Sequence, residues 1–201
     1  MKKVIKWSVG IIFAVAFAFL YAHVDNMTFL YNQDIDTSEY VNTGILQNTK
    51  LSQSFVCEEA FLDGIQVKCS SVGNVENVSI SYIIEEETTK IRVAEGVVEG
   101  IEIKNNKFNK IKFDRIENCK GKKYKITFEE NGSDPINGVS FYFAEDLKSN
   151  KAFILGGEEI ERYSLVVRTF SHRFDFETFG VVIIFLVYIA IFLKILYKLF
   201  K

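Results

Sequence analysis

The chain has 201 residues, and its apolar residues are concentrated at the two ends. Residues 23–178 contain 18 of the 24 Lys and Arg and all 26 Asp and Glu, so this central part has a formal charge of −8. A segment of this size can bury a hydrophobic core without disulfides or metals to support it. We therefore expect one acidic domain, at residues 25–175, between two apolar ends.

The first apolar segment, residues 5–22, contains a single charge, Lys6. At about 1.5 Å per residue it nearly crosses a ~30 Å hydrocarbon layer, which predicts a transmembrane helix over residues 1–24. Small residues recur there at every fourth position and predict a helix face for close packing, at Gly10, Ala14, Ala18 and Ala22. The alternative is a cleaved signal peptide in which Lys2 and Lys3 precede the apolar region.

The second apolar segment, residues 179–200, predicts a C-terminal transmembrane helix over residues 176–201. Its two charges, Lys194 and Lys198, lie where long side chains can reach the headgroups. Lysines mark both chain ends, at Lys2, Lys3, Lys6, Lys194, Lys198 and Lys201. Positive charge favours the cytoplasmic side, so we expect a two-pass protein of the cell membrane with both termini cytoplasmic and residues 25–175 extracytoplasmic.

The central part shows the two-residue period of strands that have one face in a core. Apolar residues alternate with polar ones, for example from Val78 to Ile84 and from Tyr124 to Phe128. We expect about nine strands, near residues 51–56, 64–69, 78–84, 89–94, 97–103, 110–114, 123–128, 139–143 and 162–170. Frequent turn signals between them predict an all-β fold, an antiparallel sandwich, with a short helix at 33–40 or 58–62.

Several segments resemble the jelly-roll domains attached to bacterial membrane proteins of envelope-glycan synthesis. These segments are residues 51–55 and 61–65, residues 119–124 before a strand, and Gly156-Gly157 before the strand 163–168. The resemblance implies a jelly-roll-like β-sandwich similar to carbohydrate-binding modules, with a glycan or a lipid-linked sugar as the ligand. The sequence departs from the family pattern at Cys119, where a small polar residue such as serine is expected.

Motifs of catalysis are absent from the sequence, which contains no GxSxG, HExxH, P-loop or GxGxxG. The two histidines, His23 and His172, lie beside the predicted membrane helices, and neighbouring acids such as Glu129 and Glu130 are expected to be solvated. We therefore expect no enzyme activity, no metal site and no cofactor.

The three cysteines, Cys57, Cys69 and Cys119, cannot all pair within one chain, and none has metal-binding spacing. Buried, unpaired cysteines are the favoured interpretation. One internal disulfide stays open as the alternative, because the domain is expected outside the cytosol.

Residues 104–125 contain nine Lys or Arg and two acids within the acidic domain. Alternation places Lys110 and Lys112 on one outward face, and Lys123 and Lys125 on another, and two such strands can build a patch for an anionic partner. The alternative is a solubilising face. Sugar binding also needs an aromatic platform, for which Tyr142 is the chosen candidate, with Tyr31 and Tyr40 as the other outward tyrosines.

Taken together, these features predict a noncatalytic, membrane-anchored accessory or binding protein in cell-surface polysaccharide or envelope biogenesis. The alternative is a carbohydrate-binding module that recognises an envelope glycan directly. Expected partners are the membrane, another membrane protein or a second copy of this chain, and a glycan or other anionic polymer. Nucleic acid is not expected, because the domain is predicted to lie outside the cell.

Overall fold

The computed structural model describes residues 2–147 and 152–201, with side chains from Ser8 onward. Within these ranges the chain divides into two compact units. One unit combines the N-terminal segment up to Asn26 with the C-terminal segment from His172 onward, and the other, the β unit, is Met27–Ser171.

Two antiparallel sheets make up the β-sandwich, which confirms the expected all-β fold. The strands in the described part of the chain are β1 His23–Phe29, β2 Val41–Ile45, β3 Lys50–Val56, β4 Phe61–Val72, β5 Ser79–Glu86, β6 Arg92–Glu99, β7 Lys107–Glu117, β8 Lys123–Asn131, β9 Gly138–Glu145, β10 Phe153–Leu155, β11 Glu158–Glu159, β12 Tyr163–Leu165 and β13 Val167–Phe174. Short 3₁₀ helices lie at Thr37–Glu39 and Gly100–Glu102.

The larger sheet has the order β1-β13-β4-β9-β12, with β7 also paired to β4 and β2 also paired to β9. The smaller sheet has the order β11-β10-β3-β8-β5-β6. Strand β4 is the centre of the larger sheet, because β7 pairs with it as well as β13 and β9. Its inward side chains, Ile65, Val67 and Cys69, are buried, and the alternate positions Gln66 and Lys68 point outward.

Two buried polar residues of the smaller sheet bind the backbone of neighbouring segments. Glu130 of β8 is fully buried, and its carboxylate accepts hydrogen bonds from the backbone N–H groups of Leu46, Gln47 and Val139. Gln53 of β3, also fully buried, accepts a 3.0 Å hydrogen bond from the Leu165 N–H in the larger sheet. Each contact satisfies backbone groups that have no access to water.

Some local expectations were wrong. The strands expected at 89–94 and 97–103 are one strand, β6, which follows a turn where Lys90 has a positive φ of 60°. No helix forms at 58–62, since Phe61 and Leu62 already pair with β7 as the start of β4. The helix expected at 33–40 is reduced to the 3₁₀ turn Thr37–Glu39, capped by the Asp36 side chain.

The unit formed by the two chain ends, called the terminal unit below, contains two helices, α1 Lys2–Tyr21 and α2 Phe176–Leu199. Helix α2 is long and apolar enough to cross a membrane and begins after Asp175, whose side chain accepts hydrogen bonds from Glu177 N and Thr178 Oγ1. The expectation of two spanning helices is met by α2 alone. The described apolar part of α1, Ser8–Tyr21, is shorter than a span, since about 1.5 Å per residue gives it roughly 21 Å.

Replacing Glu130 by Gln is expected to lower the free energy of unfolding by about 1–3 kcal/mol, because an amide donor replaces one of the two buried acceptor oxygens. The control is Glu129→Gln, the next residue, whose partly exposed 3.1 Å ion pair with Lys50 contributes only about 0–1 kcal/mol. Urea denaturation of the full chain in detergent, followed by circular dichroism, measures both. Equal losses in the two variants would contradict the role assigned to Glu130.

Candidate binding surface

The outward face of the larger sheet combines cations with aromatic rings. Register places Gln66 opposite both Lys110 and Arg168, and Lys68 opposite Phe108. We call this surface the cation–aromatic face and define it by Lys68, Lys110, Arg168, Tyr31, Tyr40, Phe108 and Tyr142.

Lys68 lies between two tyrosines that are far apart in the sequence. Its Nζ atom is 4.9 Å from the ring centroid of Tyr40 and 5.3 Å from that of Tyr142. All three residues are half-buried, and the ammonium group lies against both rings. An ammonium over electron-rich ring faces is stabilised by a cation–π interaction and retains hydrogen-bond donors for a further ligand.

Arg168 is fixed by a side chain of the neighbouring strand. Its Nε and Nη2 atoms both donate to Gln66 Oε1, at 3.0 and 2.7 Å, and its guanidinium lies 4.1 Å from the Phe108 ring centroid. Lys110 stacks in the same way, with Nζ 4.2 Å from the centroid of Phe170. The cations of this face are therefore held against rings.

Tyr31 was expected to face outward but is buried among the rings of this face. Its ring is buried, packs edge-on against Tyr40 at 6.0 Å and stacks on Phe108 at 6.4 Å. Burial, with a smaller effect from the hydrogen bond to Tyr40, raises the pKa of the Tyr31 phenol well above its ordinary value. The Tyr31 phenol is hydrogen-bonded to Tyr40, which lies beside Lys68.

Cations occupy several of the register positions of this face. Along β4, the outward residues from Gly64 to Lys68 and their partners on β7 and β13 include Lys110, Lys112 and Arg168 and no carboxylate. An anionic group that approaches this part of the described surface meets positive charge beside aromatic rings. Such a surface can bind an anionic group while an apolar part of the same ligand packs on an aromatic ring.

The structure divides the four lysines predicted to form one patch. Lys110 and Lys112 lie on β7 in the larger sheet, whereas Lys123 and Lys125 lie on β8 in the smaller sheet. Lys125 lies opposite Glu85 and Ser54 in the register of the smaller sheet. The single patch is therefore not formed, and only the β7 pair belongs to the face that carries Tyr142.

Three residues of the surface were not identified from the sequence: Lys68, Phe108 and Arg168. The alternation of Gln66 and Lys68 with buried Ile65, Val67 and Cys69 could have marked Lys68 as outward-facing. Its proximity to Tyr40 and Tyr142 depends on strand pairing, which alternation within one strand does not specify.

In the terminal unit, the predicted small-residue stripe is divided along α1. Ala18 and Ala22 are fully buried, Ala14 is half-buried, and Gly10 is exposed, with no atom within 4 Å of the position a Cβ would take. Gly10 and Ala14 line a groove of about 640 Å³ between the helices, closed on the α2 side by residues that include Leu186, Ala190 and Lys194. The stripe thus provides close packing at one end and a groove at the other.

No group of three or more His, Cys, Asp or Glu side chains suited to a metal ion occurs within the described ranges. No protein-family model matches the chain, and no curated protein matches it.

Similar solved structures include two of Cwp84, a surface-layer-associated protein of Clostridium difficile. The structure of its cysteine protease and lectin-like domains is 12% identical, with a TM-score of 0.44, and the match covers 68% of this chain and 37% of that one. The structure of a variant of this protease after propeptide cleavage is 10% identical, with a TM-score of 0.46, and the match covers 74% and 40%.

The VP2 subviral particle of infectious bursal disease virus is 12% identical, with a TM-score of 0.28, and the match covers 76% of this chain and 37% of that one. The chain thus spans about two-fifths of the length of these proteins. At these identities and TM-scores, the similarities establish neither a family nor a function for this chain.

Substituting Ala18 by Leu is expected to lower the thermal unfolding midpoint of the protein in detergent, because overpacking a buried small residue costs about 1–3 kcal/mol. Ala16→Leu, on an exposed position of the same helix, should leave the midpoint nearly unchanged. Ala14→Leu should also be tolerated, since the groove has room for it. Equal midpoints for the Ala18 and Ala16 variants would contradict close packing at Ala18.

Proposed function

We propose that this protein is a noncatalytic, membrane-anchored accessory protein that displays its β-sandwich outside the cytosol and binds an anionic envelope glycan. The binding surface is the cation–aromatic face. The protein acts in cell-surface polysaccharide or envelope biogenesis, and it does so by binding the glycan directly.

The observation that carries the proposal is the position of Lys68 between Tyr40 and Tyr142. A sugar ring offers apolar C–H groups to a tyrosine, and a carboxylate or phosphate on it accepts hydrogen bonds from the ammonium. Arg168 and Lys110 extend the positive surface along adjacent strands, so several charged residues of one polymer can be engaged together.

Membrane attachment is supported by the length and apolar composition of α2. We further propose that α1 is retained and crosses the membrane beside α2, which gives a two-pass topology with both termini cytoplasmic. The whole of α1 has 20 residues, enough for about 30 Å of helix, and Ala18 of this helix is fully buried. The lysines at both chain ends fit this orientation.

A second candidate function is docking onto another membrane protein through the helix pair. The supporting observation is the apolar groove that Gly10 and Ala14 line with Ala190. Small residues allow close approach between helices in lipid, where packing is a main source of association. A partner bound there would be unaffected by changes on the cation–aromatic face, which separates the two functions experimentally.

The binding test compares two double variants that remove equal charge. Lys68→Gln with Lys110→Gln removes two cations from the cation–aromatic face, and Lys123→Gln with Lys125→Gln removes two from the smaller sheet. The probe is polygalacturonate, an acidic polysaccharide, with neutral dextran as the comparison. We expect the first double variant to weaken binding of the full chain in nanodiscs about tenfold or more, because contacts between charged groups are lost.

The control double variant should weaken binding less than about twofold, since only long-range charge changes. Tyr142→Ala should also reduce affinity, without changing the salt dependence, because it removes a ring and not a charge. Equal weakening by both double variants would show that binding is nonspecific attraction. If the wild-type protein bound neutral dextran as tightly as polygalacturonate, the cations would have no role in binding.

The topology is tested by a cysteine introduced at Asn131, an exposed residue at the end of β8. A membrane-impermeant maleimide should label it in intact spheroplasts, and a cysteine at Lys201 should be labelled only after lysis. The native cysteines are buried and give low background. Protection of the Asn131 site until lysis would reverse the proposed orientation.

A further inference from the structure

Two of the three cysteines lie side by side in the β unit. Cys57 directly follows β3, and Cys119 lies in the turn between β7 and β8. Their sulfur atoms are 3.1 Å apart although the residues are 62 positions apart in the sequence, and both residues are buried.

Backbone hydrogen bonds on both sides hold this pair in place. Cys57 N donates to Lys122 O at 3.0 Å, and Gly121 N donates to Cys57 O at 2.7 Å. Cys119 N donates to Ala60 O at 3.1 Å. The proximity of the two sulfur atoms therefore follows from the pairing of two chain segments, and a bond between them requires only about 1 Å of further approach.

We infer that Cys57 and Cys119 form a disulfide bond in the mature protein. The two thiols lose two protons and two electrons, and the electrons pass to an oxidant of the disulfide class, which is reduced to two thiols. One cysteine thiolate attacks the oxidant to give a mixed disulfide, and the second cysteine thiolate then displaces the remaining thiol of the oxidant.

The exchange takes place before the domain closes. Burial, together with the neighbouring Cys57, raises the pKa of the Cys119 thiol to about 12, so that in the folded, reduced domain it stays protonated at neutral pH. In the unfolded chain both thiols are accessible to the oxidant. An oxidising compartment outside the cytosol supplies the conditions for this step.

The bond would connect the end of β3, in the smaller sheet, to the turn between β7 and β8. In that turn the chain passes from the larger sheet to the smaller one. The bond would close a long loop, which restricts the unfolded chain. Cys69 is a natural control, because its sulfur contacts Asn109 Nδ2 at 3.3 Å and Val67 O at 3.6 Å instead of another cysteine.

The test traps thiols in living cells with trichloroacetic acid, which stops exchange because it protonates thiolates. The full chain is then denatured and alkylated, before and after reduction, and analysed by mass spectrometry. We expect one alkylated cysteine, Cys69, before reduction and all three after it. Proteolysis without reduction should yield one linked pair of peptides, which contain Cys57 and Cys119.

Three alkylated cysteines without reduction would overturn the inference, as would a linked peptide that contains Cys69. In the Cys69→Ala variant we expect no alkylation before reduction, and two alkylated cysteines there would likewise overturn it. The outcome does not depend on the ligand. A failure of glycan binding therefore leaves this result unaffected.

Discussion

The backbone of the larger sheet depends on polar side chains that the smaller sheet buries. Glu130 accepts the N–H group of Val139 at the start of β9, and Gln53 accepts that of Leu165 in β12. Neither side chain has access to water, so losing a partner would leave a buried group without a hydrogen bond. β9 carries Tyr142 on its outward face. The outer surface of the sheet is thus positioned by polar contacts made on its inner side.

The cations of that outer surface are ordered before any ligand arrives. A lysine on an exposed strand normally loses side-chain entropy when it binds an anion. Lys68 is already restricted by the rings of Tyr40 and Tyr142, and Arg168 by two hydrogen bonds to Gln66. For the proposed binding of an anion, part of the side-chain entropy is therefore lost during folding and not on binding, which favours affinity. The aromatic rings contribute to this ordering.

Alternation predicted the strands whose inward residues are fully buried, such as β3 and β8, because each has one face in the core. It did not predict β1, whose seven residues are all half-buried and give no contrast between faces. For the surface, alternation identified Lys110 as outward-facing but not its neighbours, which are set by pairing between distant strands. Alternation also led to the expectation that Lys110 and Lys123 share one patch, because β7 and β8 follow each other in the sequence. The chain passes from one sheet to the other between them, near Cys119, and no local pattern marks that change.

This change of sheet also separates the lysines of the two strands, which bears on the proposed binding of an anionic ligand by an acidic domain. Register places Glu85, Glu95 and Glu129 on the outward face of the smaller sheet, where Glu85 lies opposite Lys125 and Glu129 forms an ion pair with Lys50. The opposite outer face carries Lys68, Lys110 and Arg168. At physiological ionic strength charges are screened beyond roughly 8 Å, so an approaching polymer responds to the nearest face and not to the net charge. Under the proposed function, an anionic glycan is therefore recognised by the cations of one face and not by the net charge of the domain.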